Sequence, residues 1–256
     1  MPETSVLILA IDHGEVRELR MNRPPVNALT GELIVSLREA VETASQQKVG
    51  ALILSGAPGR FSAGLDAPLL LTLDRPAIAT LWRELYALLK ALAASPIPIA
   101  AAITGHAPAG GTVLAVFCDW RVMAEGDFKI GLNEVHVGLP LPPVILSGLR
   151  RLLGPRDAER LAVGGLLISP SEALRVGLID EVAPPDQVIN RAREWCQKIL
   201  ALPAEAMTAT RRQARADLVA LFDRDVEAEL QRVTAAWWHP ETQKTLHALA
   251  DKLGKK

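Results

Sequence analysis

The sequence predicts an α/β fold, and three observations predict it. Short, nearly all-apolar runs recur, Ala51-Leu52-Ile53-Leu54 and Ile99 to Ile103 among them, the pattern of strands buried on both faces. They alternate with longer segments whose apolar residues recur at helical spacing. Turns rich in glycine and other small residues separate the two kinds of segment.

Each element follows from local chemistry. Ser5 to Ile11 and Glu15 to Met21 read as a hairpin around Asp12-His13-Gly14. Thr30 can cap a helix whose apolar positions include Leu33, Leu37 and Val41. Gly50 to Ser55 reads as a buried strand. Pro76 starts a helix with Ile78, Leu81, Trp82, Leu85, Leu88, Leu89 and Leu92 on one broad face, and Pro96 and Pro98 stop it. Thr112 to Phe117 is short and apolar, and periodicity alone leaves helix and strand open. A helix suits the chemistry better, because its N-terminus turns the positive end of its dipole toward the preceding turn. Ser169-Pro170-Ser171-Glu172 is a capping box, and Gly177 ends that helix. From Pro184 onward the pattern is mostly helical and amphipathic. The organisation expected is a strand-rich core over 1–183 and a helical region over 184–256, with no distinct linker.

Composition narrows the function. The chain has 256 residues, 49% of them hydrophobic and 22% charged, enough for one large, well-cored unit. A formal net charge of −1 argues against general nucleic-acid binding. The two cysteines, Cys118 and Cys196, have no metal-ligand spacing, which points to reduced thiols and a cytoplasmic setting. The acidic N-terminus leads into a strand pattern rather than a targeting peptide. No stretch reaches the length of a membrane span. No two of the five histidines have the i, i+4 spacing of a helical metal site, and no dinucleotide fingerprint follows a strand, so neither a metal nor a cofactor is expected.

Two turns and one carboxylate carry most of the functional information. The turns are Arg60-Phe61-Ser62-Ala63-Gly64-Leu65-Asp66 and Gly105-His106-Ala107-Pro108-Ala109-Gly110-Gly111; the carboxylate is Glu134, in Gly131-Leu132-Asn133-Glu134. Small residues at a turn let backbone N–H groups approach a ligand closely. Two such groups aimed at one point stabilise negative charge on a reacting carbonyl. A nearby carboxylate can then move a proton.

These residues resemble the crotonase superfamily, the enoyl-CoA hydratase/isomerase fold. Arg23-Pro24-Pro25-Val26-Asn27-Ala28-Leu29 resembles the family's first loop, and the two turns resemble its oxyanion turns. Cys118-Asp119 and the stretch Ser169 to Val182 resemble its later segments, so the likeness covers nearly the whole chain. Pro-Ala-Gly-Gly combined with Gly-Leu-Asn-Glu is closest to the mitochondrial-type 3,2-trans-enoyl-CoA isomerases.

The resemblance implies a β-β-α spiral core with a helical C-terminal trimerisation region, and a homotrimer or dimer of trimers. It implies an acyl-CoA thioester substrate whose coenzyme A is part of the substrate rather than a cofactor. It places the oxyanion donors at Ala63 and Gly110 and the acid/base at Glu134. Around the substrate it places Arg23, Ala28, Ser62, Leu65, Asp66, Pro108, Gly111 and Asn133. Arg23 is expected near the coenzyme A entrance, where it can pair with a phosphate. Asp66 reads mainly as a helix-start residue, Leu65 as a pocket wall, and Asn133 as a turn residue or an orienter of Glu134. His106 and His136 are candidates to face the pocket. Lys252, Lys255 and Lys256 can reach a neighbour's phosphate or serve only as a solvated tail.

One departure matters. Hydratases of the family carry a second glutamate where this chain has Val113. Valine can neither accept nor donate a proton, so activation of water by a carboxylate pair is not expected. The activity expected is therefore a shift of the double bond of a 3-enoyl-CoA into conjugation, as in fatty-acid β-oxidation. Another crotonase reaction (hydration, hydrolysis, decarboxylation) or non-catalytic acyl-CoA binding are the alternatives.

Overall fold

The computed structural model describes residues 6–223 and 226–253. β1 (Ile8–His13) and β2 (Val16–Met21) form the hairpin expected around His13. α1 (Gly31–Ala44) starts where Thr30 accepts the Leu33 N–H, and it buries Leu33, Leu37 and Val41. β3 (Ala51–Ser55), the two-residue β4 (Gly59–Arg60) and α2 (Ala67–Leu70) follow. α3 (Arg75–Ala94) is capped by Asp74 through the Ala77 N–H, one residue earlier than Pro76 alone indicates. β5 (Ile99–Ile103) and β6 (Gly105–Pro108) lead into α4 (Gly110–Val116), which settles the open assignment after Gly111 as helix.

β7 (Trp120–Ala124) and β8 (Ile130–Gly131) precede a single 3-10 turn, Glu134–Val137. α5 (Pro143–Val163) kinks at Gly154, with Pro155 starting its second half. α6 (Pro170–Val176) begins at Ser169, whose hydroxyl accepts the Glu172 N–H, and ends at Gly177 in the left-handed conformation. After β9 (Glu181–Ala183) come α7 (Val188–Leu200), α8 (Ala204–Ala214), α9 (Ala216–Val219), α10 (Val226–Trp237) and α11 (Pro240–Leu253). Ser5 in the first expected strand, and Lys255 and Lys256 in the tail, lie outside the described residues.

The strands form a six-stranded sheet, β1-β2-β3-β5-β7-β9, and a three-stranded sheet, β4-β6-β8. Apart from the first hairpin, every pairing between these strands is parallel. Side chains alternate across a strand. Leu52 and Leu54 of β3, with Ile99, Ala101 and Ile103 of β5, join the core shared with α1 and α3. Ala51, Ile53, Ala100 and Ala102 face the other way, onto Val188, Ala192 and Cys196 of α7. Burial on both faces is why these strands read as continuous apolar runs.

The C-terminal helices fold back on their own chain. α10 packs on α3, where the Tyr86 hydroxyl donates to buried Glu229 at 2.5 Å. The same Glu229 oxygen accepts the Val144 N–H at the start of α5, 3.2 Å away. α11 packs on both α2 and the 3-10 turn that carries Glu134. The parallel strands end at the two turns, which places the candidate site at their carboxyl edge.

Candidate active site

The structure brings the two turns into van der Waals contact. A Cβ built on Gly64 would stand 2.9 Å from the Ala109 Cβ and 3.0 Å from the Gly110 nitrogen. One on Gly110 would meet Leu29 Cδ1 at 2.8 Å, and one on Gly111 would meet the Ser62 carbonyl at 2.6 Å. Glycine is required here because backbone meets backbone, which is how the two turns come into contact.

The second turn presents its donor as expected. Gly110 is the first residue of α4, so its N–H has no acceptor inside the helix. Ala109, just before it, holds φ 48° and ψ −120°, a strained conformation for a residue with a Cβ. Such strain costs about 1–3 kcal/mol and is held in place by the surroundings. The Ala109 N–H donates to the Gly131 carbonyl at 2.8 Å.

The first turn corrects the sequence reading. The Ala63 N–H, assigned above as the other donor, already donates to the Val26 carbonyl at 3.0 Å. The Gly64 N–H donates to the Ser62 hydroxyl at 3.2 Å, and the Asp66 N–H to the Leu29 carbonyl at 3.0 Å. Leu65 forms a parallel bridge with Leu29 made through its neighbours, Leu29 N–H to Gly64 and Asp66 N–H to Leu29. That pattern turns the Leu65 N–H away from Leu29, and it has no partner among the described residues. Leu65, expected as a pocket wall, is therefore the residue whose N–H is free in this turn. No sequence signal marks it, because the acceptor that engages Ala63 lies on the loop around Val26.

Other positions behave differently from expectation. Ser62 is fully buried; its hydroxyl donates to the Asn27 carbonyl at 2.7 Å and accepts from Gly64. It braces the turn from within. Arg23 pairs with Asp66 at 2.7 Å and donates to the Ala28 carbonyl at 3.2 Å, so its guanidinium is engaged within the protein rather than free for a phosphate. Asp66 also accepts the Leu69 N–H, the expected helix-start role. Ala28 is buried, and Pro108 is half-buried in β6 opposite Gly131. Asn133 makes no side-chain bond to Glu134; its Oδ1 is buried without a partner. His106 is exposed and accepts the Lys129 N–H, while His136 contacts the Gly164 carbonyl, so both rings are engaged away from Glu134. Lys252 is exposed on α11.

Glu134 opens the 3-10 turn. The residue as a whole is half-exposed, but its Oε2 is enclosed and without a partner. Burial pushes its pKa up from 4.5 to about 7, opposed only by a hydrogen bond from its own N–H. Asp12, Glu18 and Asp217, by contrast, lie below the ordinary carboxyl value, held down by neighbouring donors and arginines. Val113 is buried in the first turns of α4. Two free N–H groups at facing turns and one carboxyl poised near neutrality can stabilise an enolate and carry a proton.

Comparison with known proteins bears on the family and the fold. The family model for enoyl-CoA hydratase/isomerase matches residues 12–256. The chain is 35% identical to the mouse mitochondrial enoyl-CoA delta isomerase 1 over 254 residues, covering 98% of this chain and 88% of that one. It is 37% identical to a probable enoyl-CoA hydratase, EchA17 of Mycobacterium tuberculosis strain H37Rv, over 197 residues, 75% of this chain and 74% of that one. The crystal structure of the human mitochondrial delta3-delta2-enoyl-CoA isomerase superposes with a TM-score of 0.93 at 30% identity, covering 98% and 99% of the two chains. The mouse and human proteins are mitochondrial by name, where composition pointed to the cytoplasm for this chain. No helix among the described residues is long and apolar enough to cross a membrane. The fold is that of the crotonases, and the chain belongs to the enoyl-CoA hydratase/isomerase family.

Proposed function

We propose that the chain is a cofactor-independent enoyl-CoA isomerase that converts a 3-enoyl-CoA to the 2-trans isomer. The observation that carries this reading is Glu134: a carboxyl with one enclosed, unpartnered oxygen and a pKa near 7. Such a group is a good base when ionised and a good acid once protonated. In the first step it takes a proton from C2. The C2–H electrons form the C1–C2 double bond, and the carbonyl electrons move onto the thioester oxygen. The N–H groups of Leu65 and Gly110 receive that charge; one such donor is typically worth about 3 kcal/mol. In the second step the electrons return from oxygen to re-form the carbonyl, the C1–C2 pair shifts to C2–C3, and the C3–C4 pair takes the proton from Glu134 at C4, leaving Glu134 ionised again.

Hydration is the competing reading, favoured by relatives named as hydratases. Position 113 weighs against it, because a buried valine cannot hold and activate water beside Glu134. A paired assay tests the choice. Purified protein is given 3-enoyl-CoA and, separately, 2-enoyl-CoA of medium chain length. Formation of the conjugated thioester from the first, with little 3-hydroxyacyl-CoA from the second, is expected. Water addition at a rate comparable to isomerisation would overturn the isomerase reading.

A further inference from the structure

In the segment that carries Glu134, from Gly131 to Leu139, the His136 ring reaches the Gly164 carbonyl at 3.2 Å, but the two polar side chains nearest the site make no such contact through their enclosed oxygens. Asn133 Oδ1 and Glu134 Oε2 are both buried without partners. The segment is also held at its two ends by hydroxyls from α4 and α11. At its entry stands Thr112 of α4, fully buried. Its Oγ1 accepts the Gly131 N–H at 2.8 Å and donates to the Ala107 carbonyl at 2.5 Å. One hydroxyl thus joins the strand before the Gly110 turn to the strand before Glu134.

At the exit stand two residues of α11. Thr242 donates to the Gly138 carbonyl at 2.8 Å, and Thr245 to the Val137 carbonyl at 2.8 Å. The Thr245 hydroxyl has one proton and two further acceptors, the Glu241 and Thr242 carbonyls of its own helix at 3.0 Å; Val137 is the nearest of the three. Gly138 holds φ 75°, and a Cβ there would come 3.1 Å from Thr242 Cα, so helix and turn meet with no side chain between them. These contacts span 104 and 108 residues of sequence.

We propose that Thr112, Thr242 and Thr245 are positioning residues for Glu134. This rests on the reading of Glu134 as the acid/base. A base must reach C2 and C4 of one bound chain, and a misplacement of about 1 Å can cost on the order of 100-fold in rate. Hydroxyls are short, directional and, at these sites, the groups that satisfy the Gly131 N–H and the Val137 and Gly138 carbonyls. They set where Glu134 sits relative to the Gly110 donor. The C-terminal helix of the same chain is accordingly part of the catalytic scaffold.

Valine has nearly the shape of threonine and lacks the hydroxyl; serine keeps the hydroxyl and loses the methyl. The test uses the full chain carrying Thr112→Val, Thr242→Val or Thr245→Val, and each serine counterpart. Isomerase kcat and KM are measured together with amide hydrogen exchange at His136, Gly138 and Leu139, whose N–H groups close the turn onto Asn133, Val135 and Glu134. The valine variants should lose about tenfold or more in kcat with little change in KM. Exchange at the three amides should rise by a similar factor, and serine should recover most of both. Thr245 is half-buried, so its variant keeps the test open if a change at buried Thr112 or Thr242 prevents folding.

Valine variants with wild-type kcat and wild-type exchange, beside an inactive Glu134→Gln, would overturn the clamp and leave the base in place. A fully active Glu134→Gln would overturn the base. Exchange, which needs no turnover, then still decides the clamp: lost protection supports it, unchanged protection rejects it.

Discussion

Gly64 stands against Gly110 so closely that a single Cβ on the first would lie 3.0 Å from the backbone nitrogen of the second. The contact sets the separation of the two turns and hence the direction of the Gly110 donor. Gly64→Ala should therefore push the turns apart. It also forces alanine into φ 81°, a conformation that costs about 1 kcal/mol or more outside glycine. We expect a modest loss of thermal stability and a fall in kcat of roughly 100-fold, the range for loss of one oxyanion donor. Acyl-CoA affinity measured by calorimetry should change far less.

The assignment of the first-turn donor to Leu65 rather than Ala63 can be tested on the backbone itself. Replacing one residue by its α-hydroxy acid turns an amide into an ester and deletes one N–H. At Leu65 the deletion should lower kcat by about 100–1000-fold with the fold intact. At Ala63 it removes only the bond to Val26, at a cost to stability of about 1 kcal/mol. The reverse ranking of kcat losses would restore Ala63 as the donor.

Glu134 makes two pH-dependent predictions. Its base form must be present in the free enzyme, so kcat/KM for isomerisation should rise with pH and reach half its plateau near 7. The stability effect has the opposite sense. A carboxyl whose folded pKa is raised binds more protons folded than unfolded. Its favourable contribution is complete below the ordinary value of 4.5 and is lost as pH climbs through 7. Glu134→Gln escapes that loss. The variant should be inactive, and it should gain stability over the parent between pH 5 and pH 8, on the order of 2 kcal/mol by urea unfolding. A constant difference across that range would show that the carboxyl is not shifted.

Arg23 and Asp66 should behave as a coupled pair. They tie the loop 23–28 to the first turn at 2.7 Å, and both are partly shielded from water. A double-mutant cycle of Arg23→Ala and Asp66→Ala should return a coupling of roughly 0.5–1 kcal/mol that falls as salt is raised. Asp66→Ala should cost about 1 kcal/mol beyond this, because it also removes the cap of α2. If Arg23 instead bound a substrate phosphate, its loss would appear in KM and not in the cycle.

By itself, the sequence determined what depends on neighbours along the chain. Thr30, Ser169 and Pro170 start helices because a cap acts within three residues. Ala51 to Leu54 and Ile99 to Ile103 read as buried strands because both faces are covered and every position is apolar. Glu134 and the two glycine turns were legible because their residue types are costly to place without a reason. Tertiary structure alone decided the rest. Whether the N–H of Ala63 or of Leu65 is free depends on a carbonyl at Val26, 37 residues upstream of Ala63. Whether Arg23 meets a phosphate or Asp66 depends on how one loop lies over another. That α4 is helix, which its short apolar run left open, is seen only in the fold, where Ala109 just before it holds φ 48° beside the Gly131 carbonyl. The hydroxyls that hold Glu134 come from α4 and α11, and no local pattern announces a threonine whose partner lies 19, 104 or 108 residues away. Hydrogen bonds are short-range and directional, so their pairing is set only once the chain has brought donor and acceptor together.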